Sequence, residues 1–383
     1  MFPRIRLEGA ARERGRRYGE RAGSLIARSI EGYEKAFLHY AGWTWTRVRE
    51  EAERFRTPIE AFAPAYLEEV DGIAEGAGIT GSDALALNVR TEIMFAGTVR
   101  SVGDQRLPPE CSSLAITPPR SADGRTLIAE NWDWLPHAGE TTVLLEVTQE
   151  GRPDYVTCVE AGLLAKFGFN SSGIGLVANA LVTAADVGRP GVPFHVLLRS
   201  LLDCETLTDA LTALQRSERS SSANYMLAHV DGLAIDVEAA PGDYSQCFLI
   251  EPDEGLLLHT NHFINRRFDG TDVSILAMPD SPLRLQRLHQ LVAAAAGKRL
   301  GRDFVTAALS DHHGFPFAVC CHEDQRMAEP ERSLTLASVT MDLQAKSMWL
   351  APGNPCDTDY VELDYSSFLS KSSPVQAAGQ PHG

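Results

Sequence analysis

The residue that most invites chemistry is Cys111, which follows Pro108, Pro109 and Glu110 and opens the run CSSLAIT. A thiolate is the most readily formed nucleophile among ordinary side chains at neutral pH, so a cysteine at the head of a strand is a candidate for covalent catalysis. Alone, it reads as well as a small buried hydrophobe. The next strand ends in Asn131-Trp132-Asp133-Trp134, and Asp123-Gly124 lies between. If Ala122-Asp123-Gly124 is a three-residue loop with Gly124 left-handed, Ser113 pairs with Asp133. That register puts Cys111, Ser113, Asn131 and Asp133 on one face, with roughly 7 to 8 Å across the Cys111–Asp133 diagonal. Leu114, Ile116, Ile128, Trp132 and Trp134 then form an apolar face against a helical layer. A two-residue Asp123-Gly124 turn reverses the parity and moves Asp133 away from the thiol.

A second cluster, SDHHGFPFAVCCH, offers His312, His313, Cys320, Cys321 and His322. Adjacent cysteines on a strand point oppositely and do not share one tetrahedral ion, so no metal is expected there. His259 and His262 have HxxH spacing at a strand end, where they face different ways and serve as structural hydrogen-bonding groups. The glycines of GFNSSGIG lack the strand, helix and acidic context of a dinucleotide site, and the GxSxG elbow of serine hydrolases is missing.

Composition narrows the partners. The chain has 383 residues, 44% hydrophobic and 22% charged, with a formal net charge of -16. An acidic surface repels phosphate backbones and anionic headgroups, which argues against nucleic acid and membrane partners. The N-terminus lacks the apolar core of a secretory signal and no apolar run is long enough to cross a bilayer, which points to the cytoplasm. Seven scattered cysteines without a CxxC pair give no disulfide framework.

The elements that must position these groups follow from periodicity. Ala10 to about Tyr40 carries a helical stripe through Tyr18, Ala22, Leu25, Ile26, Ile30, Tyr33 and Phe37. A second helix is predicted from Tyr66 to Ile79 with a glycine stop, and a third over DALALNVRTEIMF, capped by Thr80, Ser82 or Asp83. The first hundred residues therefore read as mostly helical. Beyond Pro109 the pattern predicts strands at CSSLAIT, TLIAENWDW, TTVLLEVTQ, DYVTCVEA and GIGLVANAL, then at Ala223 to Glu238, Cys247 to His259, LTLASVTMDL and SMWLAPG. Helices interleave at Pro193 to Gln215, Ser281 to Ala296 and Arg302 to Ser310. The class is α+β, helices covering a mostly antiparallel sheet.

In order along the chain, RERGRRYGE, EEVDGIAEGAGI, Cys111-Ser112-Ser113, NWDW, GFNSSGIGLVANAL, SSANY, LLLHTNHF, SPLRLQRL, SDHHGFPFAVCCH and SVTMDLQAKSMWLAPG resemble the acyl-coenzyme A:6-aminopenicillanic acid acyltransferase (isopenicillin N acyltransferase) family. These are cysteine N-terminal nucleophile (Ntn) hydrolases. The resemblance implies an αββα sandwich, two antiparallel sheets between helical layers. It implies a precursor that cleaves itself between Glu110 and Cys111, giving a helical portion (1–110) and a catalytic portion (111–370); the composition of 371–383 points to a disordered tail. The freed α-amine would serve as base for the thiol.

By the same resemblance Asp133 holds that amine, Asn179 and Asn224 donate to the tetrahedral oxyanion, and Arg284, or its neighbour Arg287, favours the thiolate. No cofactor or metal is implied. The implied activity is hydrolysis of a non-peptide amide through an acyl-enzyme on Cys111. Alternatives are acyl transfer from acyl-CoA or an amide to an amine, and a non-cleaving homologue acting as a binding protein. The implied partners are a small amide or acyl-CoA substrate and the chain's own cleaved N-terminal fragment. One departure stands out: the fungal enzyme of the family has glycine before its cysteine, and this chain has Glu110, which fits a strained scissile peptide less readily.

Overall fold

A computed structural model describes residues 1–100 and 111–370. Its strands, in chain order, are β1 (Arg4–Glu8), β2 (Ser112–Ile116), β3 (Leu127–Trp134), β4 (Thr142–Thr148), β5 (Tyr155–Glu160), β6 (Phe167–Asn170), β7 (Ile174–Ala180), β8 (Ala223–His229), β9 (Ala234–Ala239), β10 (Cys247–Ile250), β11 (Leu256–His259), β12 (Leu334–Asp342), β13 (Ser347–Ala351) and β14 (Val361–Asp364). They form an eight-stranded sheet, β1-β4-β5-β6-β7-β8-β9-β10, and a six-stranded sheet, β11-β2-β3-β12-β13-β14. The sheets meet face to face along β2, β3, β7 and β8. Helices Ser281–Ala294 and Arg302–Leu309 cover the outside of the six-stranded sheet, and helices Phe194–Leu201 and Leu207–Arg216 lie with the N-terminal helices on the eight-stranded side. The α+β sandwich of two sheets between helical layers is thus present.

Two expectations need correcting. The sheets are not wholly antiparallel, because β1 runs parallel to β4. Parallel neighbours require a crossover, and the whole helical N-terminal region together with β2 and β3 supplies it. The strand RIRLE had an alternating signature, Ile5 and Leu7 buried between exposed Arg4, Arg6 and Glu8, that its arginines and brevity hid. The short strands β6 and β14 were likewise not anticipated.

The β2–β3 register also differs. Ser113 pairs with Glu130 and Ser112 with Asn131, a three-position offset from the expected pairing with Asp133. Gly124 is left-handed as expected, with φ 66°. The segment 117–126, however, sends its hydrogen bonds elsewhere: Thr117 N–H donates to Gly255 O and Ala122 N–H to Leu300 O. With its backbone satisfied by other loops, the connection does not close a tight hairpin, and the parity reverses. Cys111, Ala115, Ile128, Trp132 and Trp134 consequently belong to the core between the sheets. Leu114, Ile116, Leu127 and Ala129 pack instead under the helices through Leu288, Leu300 and Val305.

The N-terminal region forms as its stripe predicts. Helix Ala11–Ala41 buries Tyr18, Ala22, Ile26, Tyr33 and Phe37, and ends at left-handed Gly42. Helix Pro64–Ala77 packs along it, and the glycines of RERGRRYGE and EEVDGIAEGAGI make that contact close. A Cβ on Gly76 would stand 1.9 Å from Arg16 O, one on Gly72 2.2 Å from Arg12 O, and one on Gly15 2.1 Å from Glu69 O. Thr80 caps the following helix, Gly81–Asn88, with Asp83 completing a capping box. No helix among the described residues is long and apolar enough to cross a membrane.

Because the obstacle at Gly76 is backbone, Gly76→Ala must push two helices apart. It is expected to cost about 3 kcal/mol, the upper end for overpacking, read as a lower urea midpoint at unchanged slope. A midpoint within error of the parent would mean the helices can separate freely.

Candidate active site

Cys111 lies immediately before β2, fully buried between the sheets. Lys166 Nζ stands 3.5 Å from its Sγ and 3.3 Å from Glu130 Oε1, and also donates to Ala178 O. Lys166 precedes β6 in one sheet and Glu130 lies on β3 in the other, so the thiol sits beside an ion pair that spans the seam. Burial pushes the Glu130 carboxyl up, and the Lys166 charge and the bond from the thiol oppose that rise. Neither residue was anticipated. A lone lysine in the apolar run LLAKFGF and a glutamate inside LIAENWDW were the available signals.

The carbonyl of Cys111 accepts from Asn179 Nδ2 at 3.1 Å and from Arg284 Nη1 at 3.0 Å. Asn179 lies on β7 directly opposite Asn224 on β8. Its Oδ1 accepts from Ser113 Oγ at 2.7 Å, which links the two sheets, and from Asn224 Nδ2 at 3.1 Å within the eight-stranded sheet. Asn224 lies beside Asp236, whose carboxyl burial raises to about 6. Asp236 neighbours His259, whose Nε2 is 2.9 Å from Glu238 Oε1.

Arg284, on the helix Ser281–Ala294, is buried. It also donates to Ser112 Oγ at 2.9 Å, to Asn261 Oδ1 at 2.8 Å and to Asp280 Oδ2 at 2.7 Å. Its contacts fix the backbone of Cys111, whereas a cation on the sulfur is Lys166. Arg287 points away to Asp311, with a quarter of its side chain exposed, and does not join the cluster.

Asp133 does not share the thiol's face. With the register reversed, Asn131 and Asp133 fall on the side of the six-stranded sheet that carries Ser112, and Asp133 flanks the N-terminal end of β2. A bulge in β12 between Thr335 and Ala337 places Thr335 opposite Asp133, and Thr335 Oγ1 donates to Asp133 Oδ1 at 2.6 Å. Burial pushes this carboxyl well above its usual range, with the Arg284 charge opposing. The structure therefore gathers Cys111, Asn179, Asn224 and Arg284 in one network and leaves Asp133 on the far side of the Cys111 backbone. Glu110 lies outside the described residues.

The geometry can be compared with known proteins. Residues 120–357 match the model of the family described as acyl-coenzyme A:6-aminopenicillanic acid acyl-transferase. That stretch begins after Cys111, so the match does not rest on the thiol. The chain is similar to the 40 kDa form of acyl-coenzyme A:6-aminopenicillanic-acid-acyltransferase of Emericella nidulans, 25% identical over 378 residues, 97% of this chain and 99% of that one. Among solved structures, a variant of conjugated bile acid hydrolase from Clostridium perfringens aligns with TM-score 0.49 and 13% identity, covering 69% of this chain and 95% of that one. Penicillin V acylase from Agrobacterium tumefaciens aligns with TM-score 0.39 and 14% identity, covering 68% and 88%.

Lys166→Met leaves the buried Glu130 without its cation, and is expected to cost about 3 to 5 kcal/mol of unfolding free energy. Adding Glu130→Gln should restore part of that loss. Strict additivity of the two changes in urea unfolding would refute a coupled pair.

Proposed function

From its membership of the acyl-coenzyme A:6-aminopenicillanic acid acyl-transferase family, to which the chain belongs, we propose that it is a self-activating Ntn enzyme that hydrolyses a non-peptide amide through an acyl-enzyme on Cys111. The observation that carries the reading is the setting of Cys111. A cysteine next to a proposed cleavage point has Lys166 at its sulfur and both Asn179 and Arg284 on its carbonyl.

In the maturation step the Cys111 sulfur attacks the carbonyl carbon of Glu110. The C–N bond breaks as the C–S bond forms, and the Cys111 nitrogen takes the proton. Water then hydrolyses the thioester, giving a Glu110 carboxylate and restoring the thiol. Buried Lys166 favours the thiolate, because an adjacent cation in a low-dielectric seam lowers the energy of the charged form.

In turnover the α-amine of Cys111 takes the thiol proton and returns it to the leaving amine, and water completes the cycle. Asn179 and Asn224, paired across β7 and β8, are the proposed donors to the tetrahedral oxyanion. Asp133 is the proposed holder of the amine. Its position beyond the thiol's face suits that role, since the backbone nitrogen and the side chain of one residue leave the strand in different directions. Amide hydrolysis is favoured over acyl transfer because transfer needs an acceptor pocket that keeps water out. The similarity to the Emericella acyltransferase over nearly the whole chain supports transfer of the acyl group to an amine as the second reading.

The N-terminal portion is proposed to remain as a bound fragment. Tyr33 OH accepts from Trp134 Nε1 at 2.7 Å and donates to Glu160, while Arg90 pairs with Glu160 at 2.7 Å and lies over the Trp134 ring. Residues before Cys111 thus hold one strand of each sheet. Cleavage would remove none of these contacts.

Intact mass of freshly purified full-length protein under denaturing conditions tests the reading without a substrate. Two fragments are expected, the second beginning at Cys111, with Cys111→Ala remaining a single chain. A parent chain that stays unbroken on long incubation would sink self-activation and favour a binding protein. Asp133→Asn is expected to slow both cleavage and turnover by roughly a hundredfold, the scale of a displaced general base. Unchanged rates would remove Asp133 from the mechanism.

A further inference from the structure

Away from Cys111, the segment 310–322 follows the helix Arg302–Leu309 without regular structure, and carries His312, Cys320 and His322. The connection between β13 and β14 carries Cys356. One ligand atom from each of the four lies within 4.8 Å of all the others. The separations are 3.0 Å between His312 Nε2 and His322 Nε2, 3.3 Å from Cys356 Sγ to His322 Nε2, 3.5 Å from Cys320 Sγ to the same nitrogen, and 3.6 Å between the two sulfurs.

Those lengths have a chemical meaning. A tetrahedral zinc ion bonds sulfur at about 2.3 Å and nitrogen at about 2.0 to 2.1 Å, which gives edges of roughly 3.3 Å between nitrogens, 3.5 Å between nitrogen and sulfur and 3.8 Å between sulfurs. Four of the six edges, the three at His322 Nε2 and the one between the sulfurs, follow that order within a few tenths of an ångström, and the two from His312 Nε2 to the sulfurs lie within 4.8 Å. A disulfide, by contrast, needs sulfurs about 2.05 Å apart. It would also leave the two imidazoles facing each other with no shared purpose.

We propose that His312, Cys320, His322 and Cys356 bind one structural zinc ion. Four protein ligands close the tetrahedron and leave no position for substrate. On binding, the two thiols release their protons to solvent, so two thiolates and two neutral imidazoles balance the divalent charge. Asn354 Nδ2 supports the set, donating to Cys320 Sγ at 3.5 Å and to Cys321 O at 2.6 Å, and a donor to a ligating sulfur stabilises its charge. That adjacent cysteines do not share an ion is compatible with this set. Cys321 does diverge from Cys320, towards Ser333, but the second sulfur comes from Cys356 on another loop.

The ion would pin the 310–322 segment to the β13–β14 connection, and that segment backs the Asp133 side of β3. Asn131 Nδ2 donates to Leu309 O and to Val319 O, and Cys321 N–H donates to Thr335 Oγ1, which donates to Asp133. Zinc is thus placed to hold the wall behind Asp133 without touching the thiol at Cys111.

The test is metal analysis of the full chain, and it needs no enzymatic activity. Protein passed over a chelating resin is expected to retain about one zinc per chain. Cobalt substitution should give tetrahedral d–d bands with a thiolate charge-transfer band. Cys356→Ser and His312→Ala should lose the metal and the bands, while Cys204→Ser, outside the cluster, keeps both. Chelation under denaturant should lower the melting midpoint of the parent but not of Cys356→Ser. Circular dichroism checks that each variant is folded; if Cys356→Ser fails to fold, the parent's stoichiometry and cobalt spectrum decide. Metal-free parent that takes up neither zinc nor cobalt would overturn the site, as would a non-reduced mass short by two hydrogens with a Cys320–Cys356 linked peptide.

Discussion

A charge pair buried where two sheets meet constrains much of this molecule. Lys166 and Glu130 are each almost wholly shielded from water. Removing either ion from solvent alone costs several kcal/mol, so each requires the other in place. They come from different sheets, and their contact therefore fixes how the β3 and β6 edges of the seam face each other. The Cys111 sulfur is the third member of that contact. The reactive group and the sheet-to-sheet geometry are thus determined by the same few ångströms.

Around the pair, the seam carries more polarity than a structural core needs. The Ser113–Asn179 bond crosses from sheet to sheet, Asn224 joins it from the next strand, and His259 and Glu238 pair nearby beside Asp236. A buried polar group selects one arrangement over many when its bonds are satisfied, as at Asn179, whose amide bonds Cys111 O, Ser113 and Asn224. Most of these groups lie near Cys111, while the flanking seam is filled by Ile128, Val177 and Val339. Gly175 keeps the apolar part tight, since a Cβ there would meet Ile128 and Leu343.

The opposite side of β3 meets a different requirement. Asp133 is held by Thr335 on the neighbouring strand β12, and Asn131 by the end of the helix Arg302–Leu309 and by the irregular segment that follows it. Irregular segments hold position only if something beyond their backbone fixes them. Hydrogen bonds from Asn131, Asn354 and Thr335 supply part of that, and the His312, Cys320, His322 and Cys356 cluster joins the two loops at the surface.

The sequence by itself determined what local periodicity and composition can encode. The stripe from Tyr18 to Phe37 specified a helix, Gly78 and Thr80 its successors' limits, and alternating or apolar runs most of the strands, because those signals depend on neighbours a few residues away. The ordered motifs pointed to the family and to Cys111, Asn179, Asn224 and Arg284, which the fold then brought together. Only the tertiary structure decided what depends on distant partners. The β2–β3 parity turned on Gly255 and Leu300, which take the hydrogen bonds a tight turn would have used. The parallel place of β1 turned on a crossover of most of the N-terminal region. Lys166 against Cys111, and Cys356 against Cys320, join residues whose separation along the chain carries no signal, and only folding sets the distance between them.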